Sequence, residues 1–278
     1  MPARVSVVVP AFNNAEYISE TMDSILAQTY RDFELIVADH ASTDETWARL
    51  QPYVADPRVR LLTTEAGGGA QANWNRVSAA ASGSFIKLVC GDDLIAPTSL
   101  ERQVAALDAH PSAVLAASRR EIVDASGRPV FTARGLRGLD GLVPGRRAIG
   151  ATVRAGVNLL GEPACVLMRT EALAAVHWWD GEFPYVIDQA TYARVLLGGD
   201  LVAMPDVLAS FRLSTSQWSV SLAREQADQV VRFHASLAAR DPALLSRTDV
   251  AFGNFRARAM SRLRRLVYVT LRRRMRKV

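Results

Sequence analysis

Short apolar runs alternate with helical patterns along the first part of the chain. Four of the runs are continuous and short, which is typical of strands buried on both faces of a parallel sheet. These runs cover residues 5–9, 33–38, 59–63 and 85–89. Pro10 is expected to end the first of these strands. The spacing of Ile18 and Met22 predicts a helix after it, and Ser42 with Glu45 has the spacing of a capping box before a second helix.

Strands that alternate with helices of this length predict βαβ units. The expected fold is α/β, with a Rossmann-type, mostly parallel central sheet flanked by helices. Ligands of such sheets bind beyond the carboxyl ends of the strands. Asn13, Asp39, Asp92 and Asp93 all fall at those ends, so a polar site is predicted there.

The second half of the chain is less regular. Residues 132–158 are rich in Arg and Gly and show little periodicity, which favours a long loop or a poorly ordered insertion. Further strands are predicted over 165–169 and 207–213, and helices over 188–197, 224–239 and 249–276.

The charge of the chain is unevenly distributed. Of the 33 Lys and Arg residues, ten lie between Arg256 and Lys277, and no Asp or Glu follows Asp249. The rest of the chain therefore carries 23 basic and 28 acidic residues, a net charge of −5. The 49% hydrophobic content supports a large core, and no apolar run reaches the length of a membrane span. Cys90 and Cys165 are interpreted as reduced, buried thiols of a cytosolic protein.

The pair Asp92-Asp93 directly follows an apolar strand. Adjacent carboxylates repel each other unless a cation neutralises them. A hard divalent ion would do so and could also hold a diphosphate. The alternatives are a solvated acidic turn or a favourable charge at the start of the next helix.

Several motifs in sequence order resemble those of the inverting family 2 glycosyltransferases with the GT-A fold. They are VSVVVPAFN at 5–13, SILAQTY at 24–30, FELIVADHASTD at 33–44, Asn75 with Ala81-x-Gly83, and Gly91-Asp92-Asp93. The similarity is strong over residues 5–111. It continues more loosely to about residue 221 through Gly161-Glu162-Pro163, DQATYARVL at 188–196 and Phe211-Arg212.

The resemblance implies a role for each matching residue. Pro10, Phe12 and Asp39 would frame a nucleotide base, and Asn75 would lie near the nucleotide. Asp92 would face the ribose and the diphosphate, and Asp93 would bind the metal, Mn²⁺ or Mg²⁺. Asp188 matches the general base, with Glu162 as the competing carboxylate and a helix N-cap as the alternative role for Asp188.

The resemblance also implies a layout of the chain. Residues 1–221 would form the GT-A domain, with a nucleotide-binding part at about 1–111 and an acceptor part at about 112–221. Residues 222–278 would form a helical, basic C-terminal extension. The expected reaction is inverting, metal-dependent transfer from a nucleotide-sugar, with UDP as the first candidate nucleotide, to a saccharide or lipid-linked acceptor in polysaccharide or cell-envelope synthesis.

Two departures from the family pattern keep an alternative open. Cys90 stands where many relatives carry an acid, and Ser214 stands where a histidine often assists metal binding. A catalytically inactive protein that binds nucleotide, or a scaffold with the same fold, is therefore the second hypothesis.

Aromatic residues and the basic tail suggest contacts beyond the donor. Trp178, Trp179 and Trp218 fall in the acceptor part, where they would either stack on sugar rings or pack in the core. As a helix, the tail would carry Arg262, Arg265, Arg272, Arg273 and Arg276 on one side. Leu263, Leu266, Val267, Thr270 and Leu271 would lie largely on another, with Arg264 and Arg274 intruding. Peripheral contact with an anionic membrane at its cytoplasmic face is one interpretation, and a helix packed on the body is the other. No nucleic-acid module accompanies the charge.

Overall fold

A computed structural model describes residues 2–215, 222 and 225–276 of the chain. Its ten described strands form one sheet, which is β1 (Val5–Ala11), β2 (Phe33–Asp39), β3 (Val59–Thr63), β4 (Phe85–Leu88), β5 (Leu94–Ile95), β6 (Ala113–Val123), β7 (Pro129–Arg134), β8 (Gly141–Val143), β9 (Val166–Arg169) and β10 (Asp200–Arg212). The main path runs β3-β2-β1-β4-β9-β6-β10-β5, while β7 pairs with β6 and β8 pairs with β10.

The sheet is mostly parallel along this path, as predicted. Strands β3, β2, β1 and β4 are mutually parallel, and so are β6 and β10. Strand β9 lies antiparallel between β4 and β6 and joins the two halves. Every residue of β1 is buried, which explains why its sequence is continuously apolar rather than alternating.

Helices cover the sheet. They are α1 (Ile18–Leu26), α2 (Thr46–Leu50), α3 (Gly69–Ala79), α4 (Ser99–Ala109), α5 (Gly145–Ala155), α6 (Thr170–Ala175), α7 (Ile187–Leu196), α8 (Gln226–Arg240) and α9 (Arg247–Leu271), with 3-10 turns at Gln51–Ala55, Pro163–Cys165 and Pro184–Val186. No helix within the described residues is both long enough and apolar enough to cross a membrane.

Two local predictions near the first strands were wrong. Pro10 does not end β1, which continues to Ala11 beside β2. The pairing of β1 with β4 stops at Val8, so the missing N–H of Pro10 falls beyond that ladder. Ser42 and Glu45 form no capping box, because the Ser42 hydroxyl donates to the carboxylate of Asp39 instead.

The expected loop over 132–158 is also wrong. This segment contains the end of β7, all of β8 and the helix α5. Gly135, Gly138 and Gly141 take left-handed conformations in its turns. Helix α5 buries Ala148, Ile149, Thr152 and Val153, but its arginines hide that pattern.

The two C-terminal helices agree closely with the predicted ranges. Helix α9 begins with a capping box in which Ser246 and Asp249 satisfy each other's backbone N–H groups. It packs on α5 through small side chains. A Cβ added at Gly253 would lie 2.2 Å from the carbonyl oxygen of Val153.

Candidate active site

The loops that follow β1 and β2 are bonded to each other. Asn13 has a left-handed backbone, with a φ of 50°. Its side-chain oxygen accepts from the Thr43 N–H at 2.8 Å, and its own N–H donates to the Ser42 hydroxyl oxygen at 3.0 Å. Ser42 in turn donates to Asp39. The network fixes the buried Asp39 carboxylate at the end of β2.

An aromatic ring lies beside this carboxylate. Phe12 follows β1 directly and is 52% exposed. Its ring meets the edge of the His40 ring at a centroid distance of 6.1 Å. An open aromatic face next to a hydrogen-bond acceptor suits a planar heterocycle with N–H donors. Pro10, Phe12 and Asp39 therefore lie together, as the predicted base site requires, and their binding of a base stays a prediction.

The turn after β4 carries Asp92 and Asp93. Gly91 opens it, and a Cβ there would lie 2.5 Å from the Asn14 side-chain oxygen. Asp93 is buried, and its carbonyl oxygen accepts from the Thr21 hydroxyl at 2.9 Å. Burial, and then the nearby charge of Asp92, raise the pKa of Asp93 well above its usual range. A cation at this turn would relieve both effects.

Arg212, at the end of β10, stabilises this turn through hydrogen bonds. Its backbone N–H donates to the Asp93 carboxylate at 3.1 Å, and its Nε donates to the Asp92 carbonyl at 3.0 Å. One Nη donates to the Ala125 carbonyl at 3.1 Å, and the other pairs with Glu20 at 2.6 Å. The guanidinium is itself buried. Sequence analysis placed Arg212 in a family motif but assigned it no role. A single arginine in an otherwise apolar strand was the signal that could have indicated a buried, bonded side chain.

The residues present at this turn fit a hard divalent cation. Carboxylate oxygens are the ligands that Mg²⁺ and Mn²⁺ prefer, and Mg²⁺ is commonly held by one or two carboxylates together with substrate phosphates. No group of three or more His, Cys, Asp or Glu side chains could hold a metal anywhere in the described ranges.

Asp188 lies in the first turn of α7 with both carboxylate oxygens engaged. Asn158 donates to one oxygen at 2.6 Å, and the backbone N–H of Gln189 donates to the other at 2.7 Å. Asn158 is oriented by the N–H groups of Leu160 and Gly161, which donate to its side-chain oxygen. Burial, and then the charge of Glu162, raise the pKa of Asp188 to about 7. Such a carboxylate exchanges protons near neutral pH.

Glu162, the competing carboxylate, is paired. The Arg120 guanidinium contacts both of its carboxylate oxygens, with one Nη donating at 3.2 Å. A carboxylate held by a buried guanidinium is a weak proton acceptor. Among the residues that the structure describes, Asp188 accepts hydrogen bonds only from uncharged groups, and this difference favours it as the base. Arg120 was not predicted, because no motif or periodicity in the sequence marks it.

The two acidic centres belong to one site. The Cys90 thiol, directly before the Gly91 turn, is influenced electrostatically by Asp92, Asp93, Asp188 and Glu162. Burial and these four carboxylates raise the pKa of Cys90 well above its usual range. Strand β4 also packs against the Pro163–Cys165 turn, which directly follows Glu162, and Asn158 donates to both the Gly161 carbonyl and Asp188. The turn after β4 and the start of α7 therefore border the same region.

Asn75 makes protein contacts in this structure. Its side-chain oxygen accepts from the Trp179 N–H at 2.8 Å, and its amide donates to the Trp179 carbonyl at 3.4 Å. Asn75 thus ties α3 to the segment before α7. Its role near a nucleotide stays a prediction.

The tryptophans differ in exposure. Trp179 is buried, its indole N–H donates to Ser78, and its ring packs edge-on against Trp74 at 5.0 Å. It therefore belongs to the core and offers no open face to a sugar. Trp178 is partly exposed and packs against the same core. Trp218 lies outside the described residues.

Comparison with known families agrees with this geometry. The sequence model described as "Glycosyl transferase family 2" matches residues 6–175. The chain belongs to this family. The match covers β1 to α6, including Glu162, and ends before Asp188.

Two bacterial relatives of this glycosyltransferase family member illustrate the similarity. EpsE of Bacillus subtilis is 32% identical over 174 residues, which are 61% of this chain and 57% of EpsE. The Escherichia coli protein WfgD, named a UDP-Glc:alpha-D-GlcNAc-diphosphoundecaprenol beta-1,3-glucosyltransferase, is 37% identical over 100 residues, 36% of this chain and 39% of WfgD. The matched regions thus span less than two thirds of these relatives.

Solved structures show the same fold. S. aureus TarS 1-349 in complex with UDP-GlcNAc has a TM-score of 0.67 and 19% identity, covering 89% of this chain and 69% of that one. The Pyrobaculum calidifontis mannosyltransferase PcManGT, in complex with GDP-Man and Mn²⁺, also has a TM-score of 0.67 and 19% identity, covering 97% and 76%. The GT-A-like α/β architecture predicted from the sequence is confirmed.

Proposed function

We propose that this protein is an inverting glycosyltransferase that moves a sugar from a nucleotide-sugar to a hydroxyl of a saccharide or lipid-linked saccharide. The observation that carries the proposal is that two acidic centres border one region, linked by the Pro163–Cys165 turn packed on β4 and by Asn158. One is the Asp92-Asp93 turn, and the other is Asp188, which Asn158 orients. Inversion needs a charge-stabilising centre for the leaving diphosphate and a base for the attacking hydroxyl, and the two centres match those needs.

Asp188 would accept the proton of the acceptor hydroxyl as its oxygen attacks the anomeric carbon. Asn158 and the Gln189 N–H hold the carboxylate in one orientation. The bond from the anomeric carbon to the diphosphate breaks on the opposite side of the sugar. Glu162 cannot do the same work while Arg120 holds it.

The donor half would bind the nucleotide diphosphate. Phe12 and Asp39 would contact the base, and Asp92 would face the ribose and the diphosphate. A divalent ion at Asp93, Mn²⁺ or Mg²⁺, would stabilise the charge that develops on the diphosphate. Arg212 keeps both aspartates in position for this.

UDP is the first nucleotide to test. TarS has been solved with UDP and with UDP-GlcNAc, and WfgD carries UDP-Glc in its name. PcManGT was solved with GDP-Man, which makes GDP the second candidate. The acceptor of WfgD is a diphosphoundecaprenol-linked sugar by name. A similar acceptor would place this enzyme in cell-envelope polysaccharide synthesis, in the cytoplasm and peripheral to the membrane.

Isothermal titration of UDP, GDP and dTDP, each with and without Mn²⁺, tests the donor site. We expect one nucleotide to bind with a metal-dependent affinity that falls at least about tenfold in Asp93→Asn, since the ion loses its carboxylate ligand. The variant keeps an oxygen for the Arg212 N–H, so the turn should stay folded. Asp140→Asn, an exposed acid on a distant turn, is the matched control.

Two results would count against this proposal. Absence of binding by all three nucleotides would end the transferase assignment. Binding with no release of diphosphate in any acceptor mixture would favour the scaffold hypothesis that Cys90 and Ser214 motivate.

The pH dependence of activity provides a separate prediction. A base must be ionised to work, so kcat/KM should rise with pH up to about 7 and level off above it, following the pKa of Asp188. Because the charge of Glu162 raises that pKa, Glu162→Gln should move the rising limb to lower pH. A profile that is flat between about pH 5 and 8 would contradict this assignment of the base.

A further inference from the structure

Helix α9 turns a largely apolar face away from the body of the protein. Its inner side is lined by small buried residues, Gly253, Ala257 and Ser261, which allow close packing on α5. Its outer side carries five large apolar side chains that are more than half exposed. They are Phe252 (53%), Phe255 (68%), Leu263 (51%), Leu266 (64%) and Val269 (73%).

These five side chains lie on one side of the helix. At about 100° per residue they fall within an arc of roughly 120°. Isolated exposed apolar residues are common on protein surfaces, but a stripe along a single helix of 25 residues is not. We call this stripe, together with the exposed Arg258, Arg262 and Arg265, the docking face.

Exposed arginines flank the stripe and also interrupt it. At about 100° per residue, Arg258 and Arg265 lie beside one edge of the arc, and Arg262 lies within it, between Val269 and Phe255. None of the three forms a salt bridge within the described ranges. The two arginines that seemed to interrupt the apolar pattern point elsewhere. Arg264 donates to Tyr185 and Gln226, and Arg274 pairs with Asp124 at 2.7 Å. The docking face is therefore apolar and cationic, and Arg264 and Arg274 are not part of it.

We propose that the docking face binds the surface of an anionic lipid bilayer, with α9 lying in the plane of the headgroups. An apolar stripe with a basic border has the chemistry of an interfacial helix. A second copy of the chain fits poorly, because the symmetric contact would bring the same arginines together without any acid after Asp249 to offset them. The rest of the chain is net negative, so an anionic surface would attract this face selectively.

The helix is fixed to the acceptor side of the candidate site. Its inner side contacts Tyr185, three residues before Asp188, and its C-terminal end receives a backbone hydrogen bond from Thr215 to Met275 at 3.1 Å. Docking would therefore place the acceptor side of the candidate site near the bilayer. This consequence rests on the proposed function, whereas the docking itself does not.

Vesicle co-sedimentation of the full chain tests the proposal. Vesicles of phosphatidylcholine alone are compared with vesicles containing about 30% phosphatidylglycerol, at low and high salt. We expect binding to the anionic vesicles only, weakened by salt. Leu266→Ser with Val269→Ser should reduce partitioning at least tenfold, and Arg262→Gln with Arg265→Gln should reduce it about thirtyfold.

The matched control is Arg31→Gln with Arg49→Gln, which removes the same charge from exposed positions on the body and should leave partitioning unchanged. All substituted side chains are exposed, so melting temperatures should stay within about 2 °C of the wild type. Equal binding to both vesicle types, no binding, or variants that partition like the wild type would overturn the proposal. So would a dimer, seen by sedimentation, that the Leu266→Ser and Val269→Ser variant abolishes, because a second copy would then cover the face. UDP titration of the same variants should be unaffected, which separates this result from failure of the donor site.

Discussion

Replacing Asp188 with Ala should lower kcat by about a thousandfold while the affinity for the donor nucleotide stays within about twofold. Asp188 contacts Asn158 and the Gln189 N–H rather than the Asp92-Asp93 turn, so the donor half keeps its contacts. Ala is preferable to Asn here. The amide of an introduced Asn would face the Asn158 amide, which the N–H groups of Leu160 and Gly161 hold in place.

Glu162→Gln is the matched test, because Glu162 is the other carboxylate at the acceptor side. It should retain at least about a tenth of the activity, since Glu162 is paired with Arg120 and serves to shape the site. The measurement is release of the nucleoside diphosphate at saturating donor, and nucleotide affinity is followed by titration. A larger loss in Glu162→Gln than in Asp188→Ala would reverse the assignment of the base.

The donor side of the site could be predicted because strands define it. A continuous apolar run places its carboxyl end at a known edge of a parallel sheet, so Asp39, Asp92 and Asp93 could be grouped without coordinates. The structure places them at the ends of β2 and β4. Their neighbours then follow from local chain geometry, as with Phe12 directly after β1.

The acceptor side could not be predicted in the same way. Its polar contacts join residues far apart in sequence, such as Arg120 with Glu162 and Asn158 with Asp188. Periodicity does not report such pairs. Arginines also obscured β6 and α5. The buried Arg120 breaks the apolar run of β6, and the exposed Arg146, Arg147 and Arg154 mask the buried face of α5.

Replacing the buried Arg212 should strongly lower both the stability of the fold and the affinity for nucleotide. Arg212→Met should lower the free energy of unfolding by about 3 kcal/mol, since it leaves the carbonyls of Asp92 and Ala125 without their donors and removes a buried partner of Glu20. It should also weaken metal-dependent nucleotide binding at least tenfold. The backbone N–H at position 212 still reaches Asp93, but the turn loses the side-chain hydrogen bond to the Asp92 carbonyl.

Glu20→Gln separates the ion pair from the hydrogen-bond scaffold. The Glu20 side chain is 46% exposed, so losing its charge should cost at most about 1 kcal/mol. Arg212→Lys keeps the charge but cannot reach Asp92, Ala125 and Glu20 at once, and should fall between the two. Urea unfolding gives the stabilities, and titration with Mn²⁺ and UDP gives the affinities. If Arg212→Met bound nucleotide as tightly as Glu20→Gln, the aspartate turn would hold its shape without the guanidinium, and Arg212 would contribute to stability alone.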